Sequence, residues 1–140
     1  MTQVIHIADA DGLIAMLSKK DANHEKAKAI IKDAVSKGER ILFPATAITE
    51  AITTIQVRLQ NPDLANELAA KVAASELPIV AVDAEILEIA AGLYSADGSK
   101  KNTMFDATVA AAAKKIGTQT LFSFDKWYRG QGFTLLVDLL

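Results

Sequence analysis

The chain has no cysteine. Disulfides, thiolate zinc sites and a cysteine nucleophile are excluded, and such a composition suits a reducing cytosol. No run of about 18 apolar residues is present, so no segment reads as a transmembrane helix. The N-terminus also lacks the basic, apolar, small-residue order of a secretory leader. Its acids fall inside the only candidate apolar segment, and the expectation is an intact cytoplasmic protein. A basic excess is missing too. A net charge of −2 argues against a passive, charge-driven nucleic-acid binder. It does not exclude an enzyme that concentrates acids at one metal site and keeps lysines around the rim. Lys19-Lys20, Lys100-Lys101 and Lys114-Lys115 could form that rim. The plainer reading of each pair is a solvated face or a helix C-terminus, where cations complement the dipole. There is no Walker or dinucleotide glycine motif. The two histidines, His6 and His24, fall in different elements and form no serine–histidine–acid arrangement. His24, in "DANHEKA", reads as a packing or capping residue.

What is present is globular in character, with 51% hydrophobic and 23% charged residues. A length of 140 residues suits one domain, 1–140, with a substantial core. Short strand-like runs alternate with longer helical patterns. Strands are expected at Val4–Ala8, Ile41–Phe43, Pro78–Val82, Thr120–Phe124 and Phe133–Val137. Helical spacing joins Leu13, Ile14 and Leu17, then Ala27, Ile30, Ile31, Ala34 and Val35, with Gly38 as a stop. It returns at Ile48, Ile52, Ile55 and Leu59, at Leu64, Leu68 and Val72, at Ile86–Leu93 and at Met104–Ile116. The alternation predicts a three-layer α/β/α fold around a mostly parallel five-stranded sheet.

In such a sheet the carboxyl ends of the strands share one edge, where ligands bind. Asp9 follows the first strand and Asp125 the fourth; Glu50 and Asp106 lie early in helices expected near that edge. Each acid alone has a structural explanation. Asp9 or Asp11 could cap the helix beginning near Gly12. Thr103 and Asp106 have capping-box spacing. Glu50 could complement a helix dipole, and Asp125 could open a turn. The set is harder to explain that way. Two carboxylates ~4 Å apart repel by roughly 4 kcal/mol at an effective dielectric near 20. A cluster therefore calls for protons or a divalent cation. Oxygen ligands select hard ions, so Mg²⁺ or Mn²⁺ is expected, and such a metal supports phosphodiester hydrolysis.

With these residues in place, the chain resembles the PIN-domain ribonucleases, the family that includes VapC-type toxins. The resemblance spans essentially the whole chain and rests on "VIHIADADGLIAML", "FPATAITEA", "FDATVAAAAKK" and "TLFSFDKWY". It implies metal-binding acids at Asp9, Glu50, Asp106 and Asp125, with Ser123 as a supporting hydroxyl. It implies that the first and fourth strands are adjacent, and that Asp83, after an edge strand, is not catalytic. It implies RNA cleavage leaving 5′-phosphate and 3′-hydroxyl ends, a small antitoxin partner, and a homodimer through the middle helices. Ile52, Ile55, Leu59, Leu64 and Leu68 could supply the apolar surface for that dimer. One position departs from the pattern: Asp11 stands where the family usually has Asn, Ser or Thr. It reads as a helix N-cap or an additional outer ligand.

Two alternatives stand beside this reading. Asp9-Ala-Asp11-Gly12 also resembles the opening motif of haloacid-dehalogenase-type phosphatases, with Asp9 as nucleophile. That motif continues with Thr or Val where this chain has Leu13, and the phosphatase reading leaves Glu50 and Asp106 without a role. The other alternative is a catalytically inactive PIN-like binding module.

Overall fold

The computed structural model describes residues 3–140. Strand β1 (Ile5–Ala8) leads into helix α1 (Ala10–Leu17), followed by α2 (His24–Ser36), β2 (Arg40–Pro44), α3 (Ala45–Val57) and α4 (Pro62–Ala73). Then come β3 (Ile79–Val80), α5 (Ala84–Leu93), α6 (Met104–Ile116), β4 (Thr120–Phe122), α7 (Trp127–Gly130) and β5 (Thr134–Leu135). A 3-10 turn, Leu136–Leu139, closes the fold.

The five strands form one sheet in the order β3-β2-β1-β4-β5. Every pairing is parallel, as expected for strands joined through helices. β1 is central, with Ile7 opposite Leu42 on one side and Leu121 on the other. Period-two alternation along the strands sends neighbouring side chains to opposite faces. Ala8 and Phe122 join a core with Leu13, Ile30, Ile55 and Leu68, under α1 to α4. Ile7 and Leu121 join a second core with Ile86, the α6 alanines, Tyr128 and Phe133, under α5 to α7. The fold is the three-layer α/β/α arrangement. Helix α6 is buried on all faces from Asp106 to Ala113, and its small side chains let it lie close to α5 and the sheet.

Several strand ends are shorter than the apolar pattern predicts. β3 covers two residues, because Asp83 caps α5 and draws the chain out of the sheet. β4 stops at Phe122, and β5 turns into the 3-10 segment after Leu135. Helix α7 was not expected from the sequence at all. Ile55 and Leu68, read as surplus apolar surface, are fully buried. Ile52 and Leu64 pack at the margin of the same core. Of that group only Leu59 is well exposed, with Val57 beside it. His24 has the structural role expected, its Nδ1 meeting the Ala15 carbonyl oxygen at 2.7 Å and tying α2 to α1.

Candidate active site

The carboxyl edge of the sheet is set by the β1–β4 pair. The Asp9 amide continues the ladder by donating to the Phe122 carbonyl at 3.1 Å. The chain then turns directly into α1, with Asp9 as N-cap: Oδ1 accepts from the Ala10 amide at 2.6 Å. The turn is tight because α1 starts against the end of β4. A Cβ on Gly12 would stand 2.5 Å from the Phe122 carbonyl oxygen, which is why glycine follows the acidic pair. Asp9 is nearly inaccessible.

The cap is therefore Asp9, and the expectation that Asp11 caps α1 is corrected. Asp11 lies in the first turn, pointing toward β4. Its Oδ2 accepts from the Phe124 amide at 2.8 Å and from Ser123 Oγ at 3.2 Å. Its Oδ1 is buried without a partner. Ser123 Oγ also accepts from the Asp125 amide at 3.1 Å. Ser123 thus bridges Asp11 and the Asp125 backbone; no side-chain contact between Ser123 and Asp125 is involved.

Asp106 enters from the opposite layer. Thr103 caps α6 and Asp106 completes the capping box, its Oδ2 accepting from the Thr103 amide at 2.9 Å. Its Oδ1 faces Tyr128, whose hydroxyl lies 3.4 Å away. The same hydroxyl donates to Asp9 Oδ2 at 2.7 Å. Asp125 is half-buried: Oδ1 accepts from the Trp127 amide at 2.9 Å, and Oδ2 from Asn102 Nδ2 at 2.8 Å. It opens the turn, as its position suggested, and anchors the loop before α6. Glu50 lies beyond the first turn of α3, too deep for the dipole role considered for it. Sequence reasoning missed Tyr128 and Asn102. Both lie near recognised acids, Tyr128 three residues after Asp125 and Asn102 four before Asp106, but neither residue type announces a contact with a carboxylate.

The electrostatics bring the acids into one group. Burial raises the carboxyl pKa of Asp9 well above its ordinary range; Asp11 and Asp106 add to the rise, against the Tyr128 hydrogen bond. Burial pushes Asp11 up to about 6 despite the donors at Phe124 and Ser123. It pushes Glu50 up to about 7, with help from Asp106 and Asp11. Asp106 is also raised, first by burial, with the Thr103 amide opposing it and Asp125 adding to it. The repulsions come from neighbouring carboxylates, so ionising the whole group costs both desolvation and charge repulsion.

That chemistry fits a hard divalent cation. The donors are carboxylate oxygens, and Asp11 Oδ1 is an enclosed acceptor without a partner. Asp9, Glu50, Asp106 and Asp125 would hold such an ion, and Asp11 would offer a further carboxylate oxygen. Among the described residues, no three acids or histidines converge on one point with the side chains as they stand. Asp125 is held by Asn102 and the Trp127 amide, so a third ligand beside Asp9 and Asp106 requires Asp125 or Glu50 to reorient.

The other expected features separate. Asp83 caps α5 through Ile86 and pairs with Lys115 at 2.8 Å, a structural assignment. Lys115 also pairs with Glu85, and Lys114 lies over the Phe133 ring. Both lysines are in the last turn of α6, remote from its acidic first turn. The exposed Lys100, Lys101 and Lys126 are the cations next in sequence to Asn102 and Asp125. His6, at the start of β1, contacts Thr120 Oγ1 and Glu39 Oε1, away from the acids.

An all-parallel α/β sheet with acids gathered at its carboxyl edge defines a class of site. The chain belongs to the PIN domain family, whose model matches residues 7–130. Its fold is similar to that of VapC20 from Mycobacterium tuberculosis, a Sarcin-Ricin loop cleaving toxin. The TM-score is 0.78 at 24% identity, over 93% of this chain and 96% of that one. It is also similar to FitAcB from Neisseria gonorrhoeae, with a TM-score of 0.66 at 18% identity, over 94% and 96%. No curated protein matches the chain. Family membership overturns the phosphatase reading of "DADG".

Proposed function

We propose that this protein is a divalent-metal-dependent endoribonuclease, and that it is the toxin of a toxin–antitoxin pair. The observation that carries the reading is the gathering of Asp9, Glu50 and Asp106 in one desolvated, mutually repelling group, with Asp125 adjoining it. In a PIN-domain chain this is a costly arrangement for capping alone. A bound Mg²⁺ or Mn²⁺ would supply Lewis acidity toward a phosphoryl oxygen and a more acidic water.

The chain's own residues divide the remaining work. Asp9 and Asp106 come from opposite layers and meet at the edge between β1 and β4. Asp125 and Glu50 flank them, from the loop after β4 and from α3. Ser123 holds the Asp125 backbone. Beside Asp106, Phe105 is 44% exposed. With Thr49, Glu50, Thr53 and Thr54 it lines an open groove of about 290 Å³, where its ring could stack on a base. Lys100, Lys101 and Lys126 provide cations for the phosphate backbone.

The similarity to the VapC20 toxin and to FitAcB supports a small antitoxin as partner. The proposal extends to one domain spanning residues 1–140, working in the cytoplasm as a homodimer. Val57 and Leu59, exposed at the end of α3, are the apolar residues available for that contact.

The direct test is cleavage of RNA by purified protein with and without Mg²⁺ or Mn²⁺, alongside Asp9→Asn. Divalent-dependent cleavage that the variant loses supports the nuclease. Expression with and without the neighbouring small reading frame tests the toxin role. Growth arrest that depends on Asp9 and is relieved by the neighbour is the expected result. Metal-independent activity would overturn the mechanism, and absence of cleavage would favour an inactive binding module.

A further inference from the structure

Tyr128 is wholly buried, yet its hydroxyl bonds only acids. It directs its proton to Asp9 Oδ2 at 2.7 Å and lies 3.4 Å from Asp106 Oδ1. These carboxylates come from different layers, one at the end of β1 and one at the start of α6. The ring is fixed from two sides, edge-on to Trp127 at 5.2 Å and to Phe133 at 6.4 Å. A phenylalanine would make the same ring contacts, so packing does not account for the hydroxyl. The position of the ring is itself tied to the site. Asp125 Oδ1 accepts from the Trp127 amide, which opens the single turn of α7 and delivers Tyr128 beneath the acids.

We infer that Tyr128 is a positioning residue of the metal centre: its hydroxyl donates to Asp9 Oδ2 and lies against Asp106 Oδ1, fixing the Asp9 carboxylate beside Asp106 with a free lone pair for a shared cation. This rests on the metal-site reading above. The physical reason is direct. Two buried carboxylates without a cation repel each other, and nothing else described reaches both. The single phenolic proton, given to Asp9, offsets part of that repulsion without adding a competing charge. Once a cation binds, the same donor fixes the carboxylate planes, as hydrogen-bonded partners of metal ligands generally do. The carboxylates need not leave Tyr128 to bind, because each oxygen has a second lone pair.

The test measures metal binding without RNA, so its outcome is separate from nuclease activity. Mn²⁺ affinity is titrated calorimetrically for the wild type, Tyr128→Phe and Phe133→Leu. Tyr128→Phe should weaken Mn²⁺ roughly ten- to a hundredfold. Phe133→Leu, which disturbs only the packing around the ring, should lower the melting temperature and leave the affinity within about twofold. An unchanged or tighter dissociation constant in Tyr128→Phe, with the wild type binding, overturns the positioning role alone. A wild type that binds no Mn²⁺ overturns the metal reading and this inference with it. A second measurement does not depend on Tyr128→Phe folding. With only two tyrosines in the chain, fluorotyrosine labelling in a Tyr94→Phe background leaves Tyr128 as the sole ¹⁹F probe. Its resonance should shift on adding Mg²⁺ and stay fixed when Asp9→Asn is added. A resonance blind to Mg²⁺ in a protein that binds it would sink the proposal.

Discussion

Ser123 Oγ donates to Asp11 at 3.2 Å while accepting from the Asp125 amide at 3.1 Å. One hydroxyl thus joins the first acidic motif of the chain to the last, across the β1–β4 pair. Asp11 is the unusual partner, a carboxylate with a structural hydrogen-bond role in a place that already has excess negative charge.

The two parts of that role are separable by substitution. Asp11→Ala removes the acceptor from the Phe124 amide and Ser123 Oγ, leaving buried donors unpaired. The expected cost is ~1–3 kcal/mol, partly offset by loss of a buried charge. Asp11→Asn keeps an acceptor for those donors and removes the buried charge. At pH 8 without metal, Asp11→Asn should be at least as stable as the wild type and Asp11→Ala less stable. Urea midpoints decide it, and an asparagine variant as unstable as the alanine one would show that the charge itself is needed.

The raised carboxyl pKa values make stability depend on pH in a defined direction. Asp11, at about 6, and Glu50, at about 7, bind protons more tightly folded than unfolded. Their contribution is fully present below the ordinary carboxylate range near pH 4. It is lost as pH rises through 6 to 7, because only the folded state still holds those protons. The metal-free protein should therefore lose stability between about pH 4 and 7, opposite to the usual acid denaturation. Glu50→Gln should flatten the upper part of the curve and Asp11→Asn the lower part. Thermal melts in chelator across that range test this, and stability rising toward about pH 7 would contradict it.

Gly12 tests the closeness of α1 to β4. An alanine Cβ would meet the Phe122 carbonyl oxygen at 2.5 Å and its ring at 3.1 Å. Alanine normally favours a helix by ~1 kcal/mol over glycine. Here the backbone contact should reverse the sign, and Gly12→Ala should destabilise by ~1–3 kcal/mol, the usual cost of overpacking. Since α1 carries Asp9 and Asp11, the same shift should weaken Mn²⁺ binding. A stabilised variant would mean that the helix start can slide without cost.

Much of this was legible in the chain. The alternation of short apolar runs with helical spacing gave the order of elements and the parallel sheet. "TMFD" announced the capping box that holds Asp106. What was not legible depended on contacts between distant segments. β4 ends early because Asp11 takes the Phe124 amide out of the ladder, although "TLFSF" reads as five strand residues. Helix α7 is one turn initiated by an Asp125 hydrogen bond, too short for any periodicity to reveal. Tyr128 carries no signal in the sequence, and only the meeting of β1 with α6 brings its hydroxyl to Asp9 and Asp106. In "ADAD" the two acids are two residues apart on a helix start, so they point in different directions. Which one caps is decided by where Phe122 lets α1 begin.

Asp106 has two roles that metal titration can pull apart. It closes the capping box with Thr103 and is also a proposed ligand. Thr103→Ala removes the cap hydroxyl that accepts from the Phe105 amide and should cost ~1 kcal/mol. Its stabilisation by Mn²⁺ should be intact, about 2.7 kcal/mol at a hundred times the dissociation constant for a site present only in the folded state. Asp106→Asn should do the reverse. The amide oxygen can still accept from the Thr103 amide, and a repelling charge is gone, so metal-free stability should hold or rise. The increment with Mn²⁺ should shrink strongly. Melting temperatures of both variants against Mn²⁺ concentration make the comparison. If Asp106→Asn keeps the full increment, the residue is only a helix cap, and the metal centre must be assembled from Asp9, Glu50 and Asp125 without it.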